Sequence, residues 1–239
     1  MVFPFSSHNY LLRHLLAAGG VDPDADVRLV VVAPPNLPEA LATSQVDGFC
    51  AGEPWGSRAV DLRVGRIVLP SLTVWSDHPE KVLAISAELA ASDLPRVVAA
   101  TAAVIDAAGW LARPENAPEA VAILHRHALP HVPPEVIAAA LAGHLAVVPD
   151  APPVAVPRAI AFGAAESFPD PGHAAWLLAA MTRWGHVAAG TELPPGLWRP
   201  DIWRRAVAAA GLAEPAKLTT DQPPACDPSS LHRPRSAQP

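Results

Sequence analysis

A mixed α/β fold is predicted from three observations. Short apolar, β-branched runs alternate with helix-patterned stretches over residues 1–85; glycine and proline mark the joins; and 51% of the 239 residues are hydrophobic, enough for a substantial core. Strands spaced by helices imply right-handed βαβ crossovers and a mostly parallel sheet.

The elements follow in order. "VFPF" reads as a strand end. "SSHNYLLRHLLAAGG" reads as a helix with Ser7 as N-cap, Leu11, Leu12, Leu15 and Leu16 at helical spacing, and Gly19-Gly20 as its stop. "VRLVVV" (27–32) is a β-branched strand, "LPEALATSQ" a short helix and "VDGFCAG" (46–52) a further strand. "EPWGSRAVDL" is a helix with Pro54 in its first turn, and "GRIVLP" (65–70) closes the set. Beyond residue 85 the chain turns to Ala-rich helices at about 86–112, 114–128, 133–143, 172–188 and 200–210, with no strand of comparable strength. The end of the chain is polar and Pro-rich, so residues 213–239 read as a disordered tail.

Charge excludes some classes. Lys+Arg 17 against Asp+Glu 23 leaves a net −6, so nucleic acid is not an expected partner. No run reaches the about 18 apolar residues of a membrane span and no charged-then-apolar leader opens the chain, so as written it reads as cytoplasmic. Cys50 and Cys226 form neither a disulfide framework nor a zinc pattern. "HRHALPH" brings His125, His127 and His131 together, but Pro130 breaks the helix that would align two of them, so no metal or cofactor is expected. Tryptophans 110, 176, 184, 198 and 203 fall in helical context and read as core or interface residues.

Three places could hold an anion. Ser6, Ser7 and His8 sit at a helix start, where unpaired N–H groups and partial positive charge favour one; a simple cap with a solvated histidine would look the same. Gly52 ends a strand, at the edge where open α/β sheets bind ligands, and permits close backbone approach; a tight turn would use the same residue. Lys81 is one of two lysines against fifteen arginines, a compact charge that could pair with a small anion or simply be solvated.

Taken together, "FPFSSHNYLLRHLLAAGG", "DVRLVVVAPP", "VDGFCAGEPWGSRAV", "HPEKVL" and "WRPDIWRRA" resemble the nitrate-binding proteins related to the nitrate and bicarbonate receptors of ABC transporters, including cytoplasmic nitrate sensors derived from them. The resemblance runs from residue 3 to about 210. It implies a type II periplasmic-binding-protein-like fold, with residues 1–85 as an α/β second lobe carrying the site and 86–212 as helices returning to a first lobe. It implies His8, Gly52 and Lys81 as ligand residues, with Ser6, Ser7 and Pro34 in support, and nitrate or nitrite as ligand; Lys81 favours these over bicarbonate with calcium.

The further implications are a non-enzymatic receptor, a partner that is an ABC permease or a regulatory (antiterminator) protein, and a chain lacking most of its first lobe. A start further upstream would make a periplasmic or membrane-associated location the alternative. Related folds of thiamine-pyrimidine synthesis offer an enzyme alternative, but they carry a cysteine-rich iron motif that two cysteines cannot supply.

Overall fold

The computed structural model describes residues 1–76 and 78–215. Cys226, Lys217 and most of the expected tail therefore lie outside the described residues.

Helix α1 (Ser7–Ala18) starts where the sequence places it, one residue off in its cap. Ser6 is the N-cap, its hydroxyl accepting from the Asn9 amide at 3.2 Å, and Ser7 is the first helical residue. The stop is a left-handed Gly20 (φ +81°), with its amide on Ala17 O and the Val21 amide returning to Leu16 O at 2.9 Å. α2 (Leu37–Ala42) and α3 (Trp55–Asp61) follow, shorter than their sequence patterns. The long helix expected at 86–112 is two helices, α4 (Ala87–Ser92) and α5 (Leu94–Leu111). The break falls at Asp93, which takes an extended φ of −145° two residues before Pro95 and caps α5 by accepting from Arg96 N at 3.1 Å. α6 (Ala117–His127), α7 (Pro134–Leu141), α8 (Pro171–Arg183) and α9 (Pro200–Ala209) complete the helices, each with proline in its first turn.

The strands differ most from expectation. Residues 27–32, 46–52 and 65–70 form no ladder, and the β-structure among the described residues is one antiparallel pair, β1 (His144–Leu145) with β2 (Val154–Ala155), between two expected helices in the half where no comparable strand was expected. Isolated contacts remain: Val32 N to Met1 O at 3.1 Å and Ile67 N to Val147 O at 2.9 Å. β-branched side chains extend a segment, but parallel pairing also needs cover on both faces. Here Val31 and Val68 stand 53% and 82% exposed.

Three apolar clusters hold the chain together, and two of them tie the first 85 residues to the rest. Tyr10 and Leu11 of α1 pack with Trp75 and with Trp176 and Ala180 of α8. The Trp75 and Trp176 rings lie 4.7 Å apart, and Tyr10 Oη meets His186 Nδ1 at 2.8 Å. Trp55 of α3 packs against Val121, Val132 and Ile137 around α6 and α7. Ile105 of α5 meets Trp203, Ala206 and Val207 of α9, with Trp203 Nε1 donating to Ser167 Oγ at 3.0 Å. Of the tryptophans expected in the core, Trp176 and Trp203 are buried; Trp75, which was not singled out, is buried as deeply.

α5 corrects the expectation about apolar runs. Its 18 residues have a mean hydropathy of 1.3, long and apolar enough by length and composition to cross a membrane, yet only Val97 and Ile105 are buried. Alanine supplies the hydropathy without large side chains. Asp106, within the helix, would oppose insertion by about 2.5–3.5 kcal/mol near a bilayer centre.

Candidate functional site

The extended segments, the start of α1 and the loop through residues 78–85 border one cavity of about 3020 Å³. His8, Gly52, Lys81 and Pro34 all line it. Ser6 and Ser7 do not: the Ser6 hydroxyl donates to Phe3 O at 2.7 Å while capping the helix, and Ser7 only opens the first turn. With its hydroxyl proton on Phe3 O, Ser6 has no donor left for a ligand.

His8 is held by its helix. It is the second residue of α1, 6% exposed, and follows the turn that Asn9 ties down through Nδ2 to Pro4 O at 2.6 Å. Gly52 comes within reach because it lacks a side chain: a Cβ there would lie 3.1 Å from Glu80 Oε1 and 3.8 Å from His8 Nε2. Lys81, next to Glu80 in the chain, pairs its ammonium with Glu80 Oε1, and its side chain is 83% exposed. The three sequence-predicted positions therefore meet, across separations of 44 and 73 residues in the chain, around a single carboxylate oxygen.

That oxygen belongs to Glu80, which sequence reasoning passed over. Glu80 Oε1 is 3.4 Å from His8 Nε2. The only available signal was its place beside Lys81, and a Glu-Lys pair reads as a solvated surface. His78 was missed too; its Nε2 lies 2.8 Å from Ser71 Oγ, and its ring stands against Trp75. Trp75 thereby anchors the loop that presents Glu80 and Lys81.

The electrostatics fit an anion. Burial holds the His8 imidazolium below the usual histidine range, and Lys81, His78 and the amino-terminal group push the same way, with Glu80 alone opposing them. Burial likewise raises the Glu53 carboxyl, which accepts from Ser57 N at 3.2 Å, and pushes the Cys50 thiol up to about 11. His125 makes a hydrogen bond with the Val132 carbonyl at 3.0 Å, while His127 and His131 are exposed, so the three do not converge.

The sequence pattern of the NMT1-like family matches residues 1–125. The chain belongs to the NMT1-like family. A curated relative, the nitrate/nitrite binding protein NrtA of Synechococcus elongatus, is 32% identical over 215 residues, covering 88% of this chain and 48% of the relative. The bicarbonate transport ATP-binding protein CmpC of the same species is 30% identical over 217 residues, covering 90% of this chain and 32% of the relative. Among solved structures, the periplasmic nitrate-binding protein NrtA from Synechocystis PCC 6803 superposes with a TM-score of 0.81 at 29% identity, over 95% of this chain and 58% of that one. This NMT1-like chain shares that periplasmic-binding-protein fold, with helices predominating. It spans about half the length of the NrtA relatives it matches.

Proposed function

We propose that this chain forms the anion-holding part of a substrate-binding protein for a small oxyanion, nitrate or nitrite, serving an ABC transport system. The observation that carries the reading is the convergence of His8, Gly52 and Lys81 on one oxygen position. An imidazole, a close backbone approach at a residue without a side chain, and an ammonium offer donors without a metal, which suits a monoanion whose oxygens are weakly basic. The NrtA likeness supports nitrate or nitrite; the CmpC likeness keeps bicarbonate as the comparison ligand, and its name points to an ATP-driven transporter as the partner. The role is binding rather than catalysis: the cavity has donors for an anion, and the Cys50 thiol beside it is held protonated by burial, unsuited to act as a nucleophile.

The reading includes a first lobe that faces this one. About half the length of the NrtA relatives has no counterpart in these 239 residues, and a closed cleft buries most of a small ligand's surface. Residues 1–85 then hold the ligand, and the helices beyond them carry the chain back to the other lobe.

Calorimetric titration with nitrate, nitrite and bicarbonate tests this, on the chain alone and mixed with a separately produced first lobe of a relative. Saturable heat with nitrate or nitrite, stronger in the mixture, is the expected result. Preference for bicarbonate would reassign the ligand, and no heat in either setting would remove the anion reading.

A further inference from the structure

The imidazole, the ammonium and the glycine of the candidate site all border one atom that belongs to the protein itself. Glu80 Oε1 contacts the Lys81 ammonium, lies 3.4 Å from His8 Nε2, and sits against the bare face of Gly52. We propose that Glu80 is a tethered competitor: its carboxylate holds the oxyanion position between His8, Gly52 and Lys81, and an external anion binds only by displacing it. The inference rests on the reading of this cavity as an oxyanion site.

Three features support displacement over a fixed structural role. The carboxylate is small enough, and similar enough in charge and shape to one edge of a planar oxyanion, to satisfy the same donors. It is free to leave, because the Glu80 side chain is 34% exposed and its flexible stem can swing the charge into water without a large desolvation penalty. Like-charge repulsion also favours its departure once an external anion reaches the same ammonium. A residue that merely oriented Lys81 would have little to orient, because that side chain stands 83% exposed.

Competition makes Glu80 a specificity determinant. An anion must exceed what the tethered carboxylate already gains from His8 and Lys81, so a halide, which is more strongly hydrated than nitrate and gives up more on leaving water, falls short first. A planar oxyanion can engage them together. Binding is therefore set by a threshold rather than by charge alone.

The test uses the full chain as wild type, Glu80→Gln and Glu80→Ala, titrated with sodium nitrate and then sodium chloride at constant ionic strength, following the His8 imidazole resonances. Both variants remove the charge at an exposed position, and the glutamine keeps the shape. The expected result is nitrate affinity raised about tenfold in both variants, the gain of one charged hydrogen bond no longer competed for, with chloride now able to shift His8. Unchanged or weaker nitrate binding in both variants would show that Glu80 positions the other groups, and would overturn the inference while leaving the oxyanion reading intact. Failure of nitrate to move His8 in any of the three proteins would overturn both.

Discussion

The His8 imidazole and the Glu80 carboxylate face each other at 3.4 Å, the histidine buried and the carboxylate one-third exposed. Burial disfavours the imidazolium, so in the free protein His8 stays neutral to a lower pH than an ordinary histidine, whose pKa is 6.5. A bound anion that meets the imidazole more closely than the Glu80 carboxylate does at 3.4 Å favours the imidazolium and raises its pKa, so binding takes up a proton. Affinity for nitrate should therefore increase as pH falls from the bound pKa to the lowered free one, by at most tenfold per unit, about 1.4 kcal/mol. Titrations near pH 5.5, 6.5 and 7.5, in buffers with different heats of ionisation, read the proton uptake directly. Affinity that falls on acidification over this window would contradict a direct role for His8. The other ionisable groups facing it are Glu80, Lys81, His78 and the amino terminus. The same depression carries a sign for folding: below pH 6.5 the unfolded chain binds more protons, so His8 lowers stability as pH falls toward its folded pKa.

Gly52→Ala should fold and fail to bind. The added methyl would meet Glu80 Oε1 at 3.1 Å, the mobile end of a side chain that can move aside, so the stability loss should stay within about 1 kcal/mol. It fills the space an oxyanion needs, and nitrate affinity should fall at least about tenfold, near 1.4 kcal/mol. Lys81→Ala should likewise weaken binding by about 1–3 kcal/mol with little change in melting temperature, because its side chain is exposed. Unchanged affinity in both would move the site elsewhere.

Trp75→Ala should damage folding and binding together. Its ring is 2% exposed and lies against Trp176 at 4.7 Å and His173 at 5.4 Å. Truncation should cost about 3–5 kcal/mol, and what remains folded should bind nitrate more weakly because the loop carrying Glu80 and Lys81 loses its anchor. Denaturant melts paired with titration check this; wild-type affinity in the surviving folded fraction would sever the proposed link between cluster and site.

Cys50 should react slowly while the chain is folded. Its thiol is pushed up to about 11 by burial, so little thiolate exists at neutral pH. In a Cys226→Ser background, labelling by a disulfide reagent near pH 8 should lag well behind the rate in denaturant. The sign for stability is also fixed: the unfolded thiol ionises at about 9, so alkaline conditions from there toward 11 favour unfolding. Equal rates in native and denaturing buffer would show that Cys50 is not protected.

Exposed apolar side chains should make the isolated chain associate. Val68, Val82, Val31, Leu83 and Val104 are 82%, 68%, 53%, 50% and 47% exposed. Val82 and Leu83 adjoin the site, and Val104 lies on α5. Apolar surface left in contact with water drives association or marks an interaction face. Sedimentation at rising concentration should show growing species and bind a hydrophobic dye; a monodisperse monomer without dye binding would be the contrary result.

The residues themselves determined whatever depends on near neighbours. The stop of α1 at Gly19-Gly20, the proline-led starts of α6 to α9 and the candidacy of His8, Gly52 and Lys81 were all legible, because capping, helix entry and side-chain chemistry act within a few residues. The tertiary structure decided what depends on distant partners. Residues 27–32 and 65–70 carry the β-branched side chains that favour a strand, but whether such a segment pairs is settled by the strands and cover beside it, and here the only ladder among the described residues formed at 144–155. Ser6, which the resemblance implied only in support of the site, caps α1 and donates to the Phe3 carbonyl, a role fixed by backbone partners within three residues. Glu80 had no signature at all: beside Lys81 it reads as a solvated pair, and only the approach of His8 and Gly52 from 72 and 28 residues away turns its carboxylate into the centre of the site.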